Sequence, residues 1–480
     1  MDYLSPLDAS FLDAEDEDPH ASLAIASIAV ADGPPPDQAE FAAVIGGRLP
    51  QVPRYRQRVR RVPWNLGRPV WVDDAGFDLN FHLRRTALAA PGGDAELAAL
   101  VGRVMSQRLD RDRPLWEDWV IEGLAGGRWA LLSKIHHCMA DGVTGNQLYR
   151  AFCDTAADTA APTAADTAAP PPDRRRPAPE TDAVDLTLDA LGNLARLPFD
   201  QLRWVARAIR SPRALGRQAR DTARGLAALA EGFTPAAPTF LTGRLGRSRR
   251  WAVARVPLAD LKAVAAASGA TLNDVYLAAV AGAFRRLLAA RGEEPVAGSV
   301  RTMMPVNLRA AGQDTIDNRI GSMLLQLPVE IADPVGRLTA VRRRIAALRD
   351  RDEMRAEAAL LAIADREPFA AVAFGVRAAL RFPQRAVVTV TTNVPGPREQ
   401  LYLTGRRVRE ILPYVPIGDR MRVGVSVFTY GGQASFGVTT DAASVPEAEA
   451  FARDIVTEVR ALPGVPPGRR RRPSAASRGA

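Results

Sequence analysis

The chain has 480 residues, more than one compact core sustains, so two domains are expected. Its two cysteines exclude a disulfide scaffold and leave no Cys-x-x-Cys metal site. The formal net charge of +9 is carried almost wholly by arginine, lysine standing only at Lys134 and Lys262, and with 6% aromatic residues to stack bases a nucleic-acid partner is not expected.

In chain order, the N-terminus Met1-Asp2-Tyr3-Leu4 leads into the acidic run Asp13-Ala14-Glu15-Asp16-Glu17-Asp18. A secretory signal needs a basic start and an apolar core, and neither is present. No uncharged apolar stretch is long enough to span a bilayer. A cytoplasmic location is therefore expected, with a peripheral place on the inner face of the plasma membrane left open. Residues 21–31 read as a buried strand. Residues 95–109 suit a helix, with Leu97, Leu100, Val101, Val104 and Met105 on one face. Trp119–Glu122 and Trp129–Ile135 read as short strands joined by a turn at Ala125-Gly126-Gly127. Helical spacing resumes after Gly142. The segment Ile135-His136-His137-Cys138-Met139-Ala140-Asp141-Gly142 thus falls where a strand ends and a helix begins, a junction that presents side chains to a cleft.

Residues 155–183 repeat Ala, Thr, Pro and Asp and read as a flexible linker. Residues 184–240 read as a basic helical connector. Arginines at 203, 207, 210, 213, 217, 220 and 224 gather on one side of a helical wheel, opposite Leu202, Val205, Ile209, Leu215, Leu226 and Leu229. Such a surface lies on a membrane interface or, more simply, is the solvated face of a packed helix. Further helices are expected at 258–268, 272–291 and 334–365, and strands at 299–304, 322–330, 386–392, 422–429 and 434–440. The alternation indicates an α/β (α+β) architecture of mixed sheets. The division expected is an N-terminal subdomain at 1–154, the linker, the connector, a C-terminal subdomain at 241–465 and a disordered basic tail at 466–480.

The paired histidines are two of only four in the chain. Imidazole titrates near neutrality and can take a proton from a hydroxyl as that oxygen attacks an acyl carbon. Asp141 lies on the same tight turn and would anchor it, while Gly142 lets backbone approach closely. No G-x-S-x-G elbow, Walker-A loop or H-E-x-x-H helix is present, so neither a serine hydrolase nor a zinc hydrolase fits. A Cys138–His137 dyad is disfavoured because adjacent strand residues point to opposite faces. What remains is direct transfer to a hydroxyl from an activated acyl donor, for which a thioester is suited.

Six segments in order extend this reading. They are Leu4-Ser5-Pro6-Leu7-Asp8-Ala9-Ser10-Phe11-Leu12, the H-H-x-x-x-D-G motif, Pro114-Leu115-Trp116, Asn273-Asp274, Asn318-Arg319-Ile320-Gly321-Ser322 and Thr392-Asn393-Val394-Pro395-Gly396-Pro397. Across roughly residues 3–465 the chain resembles the bacterial wax ester synthase/diacylglycerol acyltransferases. The resemblance implies two subdomains like chloramphenicol acetyltransferase and the peptide-synthetase condensation domains, flanking a channel. It implies His137 as general base, His136 as its support and Asp141 as a structural residue. Pro114, Leu115 and Trp116 would shape the substrate channel. Asn273 would cap a helix or, with Asp274, hold the subdomain interface. Thr391, Thr392 and Asn393, read as a loop after a strand, would contact the donor or steady the oxyanion. The implied substrates are acyl-CoA, as co-substrate with no bound cofactor or metal, and diacylglycerol or a long-chain alcohol, with peripheral contact to a membrane or lipid-droplet surface. An acyltransferase for a non-lipid hydroxyl and a catalytically idle lipid-binding protein are the competing readings.

Overall fold

The computed structural model describes residues 2–63, 67–139, 152–156, 235–307, 320–350 and 386–465. The elements in chain order are β1 (Asp2–Tyr3), α1 (Pro6–Glu17), β2 (Ala24–Ala31), α2 (Gln38–Arg48), β3 (Gln57–Arg60), β4 (Val70–Asp73), α3 (Leu79–His82), β5 (Leu83–Ala87), α4 (Asp94–Ser106), β6 (Trp116–Leu124) and β7 (Arg128–His136). They continue with β8 (Arg249–Pro257), α5 (Leu258–Ser268), α6 (Leu272–Ala290), β9 (Arg301–Asn307), β10 (Ile320–Gln326), α7 (Pro334–Asp350), β11 (Thr389–Pro395), β12 (Tyr402–Leu403), β13 (Arg406–Tyr414), β14 (Val423–Tyr430), β15 (Gln433–Asp441) and α8 (Ala448–Arg460).

Among the described residues, two mixed sheets of six strands run in the orders β12-β13-β2-β7-β6-β5 and β10-β9-β11-β14-β15-β8, beside a small sheet β1-β4-β3. This is the mixed α/β class expected from the sequence. The strand β7 lies between β2 and β6, and its apolar residues Trp129, Ala130, Leu131, Leu132 and Ile135 are buried on both faces, so it reads as an apolar run rather than an alternation. Lys134 interrupts that run. Its ammonium is buried and donates to Val104 O at 2.9 Å and Gln107 O at 2.6 Å, capping the carbonyl end of α4. Burial lowers its pKa to about 8.

Residues 402–414, within the expected C-terminal subdomain, add their strands to the first sheet. β13 belongs by sequence to the C-terminal half but pairs antiparallel with β2 in the first sheet, Tyr414 opposite Ala26 and Leu412 opposite Ile28. Its charged face hid it: Val408, Ile411, Leu412 and Tyr414 are buried, while Arg406, Arg407, Arg409 and Glu410 intervene. The strand also joins the sheets. Trp251 Nε1 donates to Pro413 O at 3.1 Å, and Arg255 pairs with Asp94 of α4 at 2.6 Å and with Glu410 of β13 at 2.7 Å. Two glycines make the approach possible. A Cβ at Gly102 would lie 2.6 Å from Arg249 O, and one at Gly437 would lie 1.8 Å from Pro413 O. A backbone carbonyl cannot rotate away. Gly437→Ala is therefore expected to cost about 3 kcal/mol, the upper end for overpacking. An unchanged urea midpoint would show that the sheets part freely there.

Element ends shift by a few residues from expectation. The strands expected at 322–330 and 386–392 run instead over Ile320–Gln326 and Thr389–Pro395, and the first strand starts at Ala24 rather than at residue 21. α7 is described to Asp350; the rest of the helix expected to 365, and the connector to residue 234, lie outside the described residues. Among the described residues no single helix is long and apolar enough to cross a membrane.

Candidate active site

The start of α1 is fixed locally. Ser5 Oγ accepts the Asp8 N–H at 3.0 Å, its hydroxyl donates to the Asp8 carboxylate at 2.7 Å, and Pro6 occupies the first turn, where a missing N–H costs no bond. The helix so begun places Phe11 and Glu15 one turn apart on one face. Each meets one histidine. The Phe11 ring stacks on the His137 ring with centroids 4.2 Å apart and planes 16° apart. Glu15 Oε1 lies 3.4 Å from His136 Nε2, with both side chains buried.

His136 is the last residue of β7, and the chain turns at once, Met139 N–H donating to His136 O at 2.9 Å. The His136 N–H donates to Leu115 O at 2.9 Å. The Cys138 N–H donates to His136 Nδ1 at 3.2 Å, so Nδ1 is the acceptor nitrogen and the proton of the neutral ring sits on Nε2, facing Glu15. His137 is held through its backbone, its N–H donating to Leu23 O at 3.1 Å, while the Leu23 N–H donates to Glu15 Oε1 at 2.6 Å. Leu23 therefore ties the carboxylate to the second histidine. Arg111 completes the shell with a 2.8 Å bond to Glu15 Oε2.

Burial pushes the Glu15 carboxyl up, but the His136 ring, the Leu23 N–H and the Arg111 guanidinium outweigh it and hold the pKa at about 2. Glu15 is thus a carboxylate at neutral pH. His136 has a contact on each ring nitrogen and almost no exposed surface. His137 is half-buried and remains accessible. Cys138 is buried in the core, which pushes its thiol well above the usual range, so it is a poor nucleophile.

Pro114, Leu115 and Trp116 are all buried against the motif strand. Besides Leu115 O, which receives the His136 N–H, Trp116 Nε1 donates to Tyr55 O at 2.8 Å, and its ring stacks on His82 with centroids 4.4 Å apart. Asn273 is not the cap of its helix. Thr271 is: its Oγ1 accepts the Asp274 N–H at 3.2 Å, and Asp274 Oδ2 accepts the Thr271 N–H at 2.8 Å, a reciprocal capping box with Asn273 inside the first turn. Thr391, Thr392 and Asn393 do not lie in a loop; they are within β11, hydrogen-bonded in parallel register to β14. Thr391 is buried and its Oγ1 accepts from Thr302 Oγ1 at 2.9 Å, whereas Asn393 is exposed. The glycine that follows is required, since a Cβ at Gly396 would lie 2.2 Å from Thr429 O. Asp141 and Gly142 lie outside the described residues. Among the described residues no three His, Cys, Asp or Glu side chains gather as a metal site.

Sequence reasoning missed Glu15, Leu23 and Arg111. The signal for Glu15 was its spacing of four from Phe11, masked by an acidic run that reads as solvated.

Residues 4–276 match the family described as wax ester synthase/diacylglycerol acyltransferase catalytic domain, and residues 316–463 match the WS/DGAT C-terminal domain. The chain is 38% identical over 464 residues, 96% of each chain, to tgs1 of Mycobacterium tuberculosis, named as a probable diacylglycerol O-acyltransferase. Among solved structures it is similar to a wax ester synthase/diacylglycerol acyltransferase from Marinobacter aquaeolei VT8, with a TM-score of 0.63 and 22% identity, over 96% of this chain and 98% of that one. It is also similar in fold to the starter condensation domain of rhizomide synthetase RzmA in complex with C8-CoA, with a TM-score of 0.56 and 15% identity, over 97% and 95% of the two chains.

Proposed function

The chain belongs to the wax ester synthase/diacylglycerol acyltransferase family, and from that premise we propose that it moves a long-chain acyl group from acyl-CoA to the hydroxyl of diacylglycerol, and to long-chain alcohols as second acceptors, in storage-lipid synthesis. The observation that carries the mechanism is the unequal treatment of two adjacent histidines. His136 is buried, with Cys138 N–H on one ring nitrogen and Glu15 facing the other. His137 is half-buried, aligned by Phe11 and pinned by Leu23 O. A clamped, buried ring supports; an accessible, oriented ring transfers protons.

In this reading His137 takes the proton of the acceptor hydroxyl as that oxygen attacks the thioester carbonyl. The tetrahedral oxyanion collapses, the C–S bond breaks, and the imidazolium returns its proton to the CoA thiolate. An ester and free CoA result, with no covalent enzyme intermediate, bound cofactor or metal in any step. Asp141, which lies outside the described residues, keeps the structural role that the family resemblance implies. The enzyme acts in the cytoplasm, peripheral to the inner face of the plasma membrane, where its acyl acceptors reside. The arginines at 203–224 that would make that contact lie outside the described residues.

The direct test offers purified protein labelled palmitoyl-CoA with dipalmitoylglycerol or hexadecanol and separates the products by thin-layer chromatography. Labelled triacylglycerol or wax ester is expected. Free fatty acid alone, or no turnover with either acceptor, would overturn the reading.

A further inference from the structure

At the motif end of the first sheet, two guanidiniums share one aromatic ring. Arg84 Cζ lies 4.4 Å and Arg113 Cζ 3.8 Å from the Phe81 ring centroid. Two like charges held on one ring repel, and the carboxylates that pair with them stand at the long end of ion-pair range: Glu117 is 3.8 Å from Arg84 and Asp110 is 3.4 Å from Arg113. The two arginine side chains keep 35% and 36% of their surface open. Arg84 Nε is buried without a hydrogen-bond partner. The neighbouring His82 is buried, its Nδ1 bonded to Trp116 O at 2.8 Å and its Nε2 also without a hydrogen-bond partner. Because Nδ1 donates to that carbonyl, Nε2 of the neutral ring is an acceptor, and the open donor capacity of the cluster rests on the arginines, at Arg84 Nε and on the exposed parts of both guanidiniums.

Its place in the sheet matters. Leu83 is opposite Asp118, and Trp116 is opposite Ile135, so the start of β5 lies at the same end as His136. Two strand spacings, about 10 Å, and the three residues from Ser133 to His136 along β7, about 10 Å more, separate them, about 14 Å in all. The pantetheine arm of coenzyme A spans that reach, with a thioester at one end and phosphates at the other. Guanidinium forks match phosphate oxygens in pairs.

We infer that Arg84 and Arg113, paired on Phe81, form the subsite for the phosphates of the acyl-CoA donor; this rests on the acyl transfer proposed above. The test compares palmitoyl-CoA with palmitoyl-S-N-acetylcysteamine, a thioester without phosphate, in the Arg84→Gln/Arg113→Gln variant. The KM for palmitoyl-CoA is expected to rise at least about tenfold, the loss of one charge-assisted contact or more, while that for the truncated thioester does not move. Calorimetry with free CoA should show the same weakening without turnover. The His82 ring signals should shift on CoA binding in the wild type and not in the variant. Equal KM changes for both thioesters, or a loss of kcat on both, would overturn the inference by showing a merely structural role. So would unchanged CoA affinity with lost binding to phosphatidylglycerol vesicles. If the wild type binds CoA through these arginines yet forms no ester, the proposed function fails and this subsite stands; if it forms ester with no dependence on them, the reverse holds.

Discussion

His137→Ala should lower ester formation by about 10²–10⁴-fold, the range for removing a general base, with the melting temperature little changed. The backbone bond from residue 137 to Leu23 O survives the substitution. The stack on Phe11 that the substitution removes is worth about 0.5–1.5 kcal/mol. His136→Ala should behave differently. Its ring is buried between the Cys138 N–H and Glu15, so removing it opens a cavity beside an anionic carboxylate and lowers stability as well as rate. Labelled-product assays beside thermal melts separate the two. Retention of turnover within tenfold in His137→Ala would end its assignment as the base.

Glu15→Gln should cost about 3 kcal/mol of stability and most of the activity. The carboxylate is buried with His136 and bonds Leu23 and Arg111, and a buried charged partner left uncompensated costs about 3–5 kcal/mol. Acid provides an independent measurement. Since the folded pKa of Glu15 is about 2 against 4.5 for the free group, its contribution is fully present above pH 4.5 and is lost as pH falls through about 2. The shift corresponds to about 3 kcal/mol. The stability gap between wild type and Glu15→Gln, measured by urea melts, should therefore close between about pH 5 and pH 2. A gap independent of pH would show that Glu15 acts by volume alone.

Local signals made part of this legible. The turn at Ala125-Gly126-Gly127 needs only its glycines, and Gly126 and Gly127 do take positive φ, so the hairpin before the motif reads directly from sequence. The histidine pair at a strand end needs only an apolar run and a stop. The N-D dipeptide was visible, yet the cap was one position upstream of α6, because a threonine two residues before an asparagine offers the same oxygen to a helix start. Glu15 and β13 were not legible. Each looks solvated by composition, and each is buried by a partner from a distant part of the chain: His136 in one case, β2 in the other. Periodicity reports which face a residue occupies, not which partner arrives to cover it.

The crossing of β13 also sets an order of events during synthesis. The ribosome delivers β2, β7, β6 and β5 early, but the open edge of β2 has no neighbour until Arg406–Tyr414 emerges, after most of the second sheet's strands have been made. Through that interval a row of unpaired amides and carbonyls stands available for pairing with another nascent chain. A message truncated before Arg406 would leave the histidine-bearing sheet permanently two strands short, since β12 reaches it only through β13, and such fragments should aggregate rather than fold.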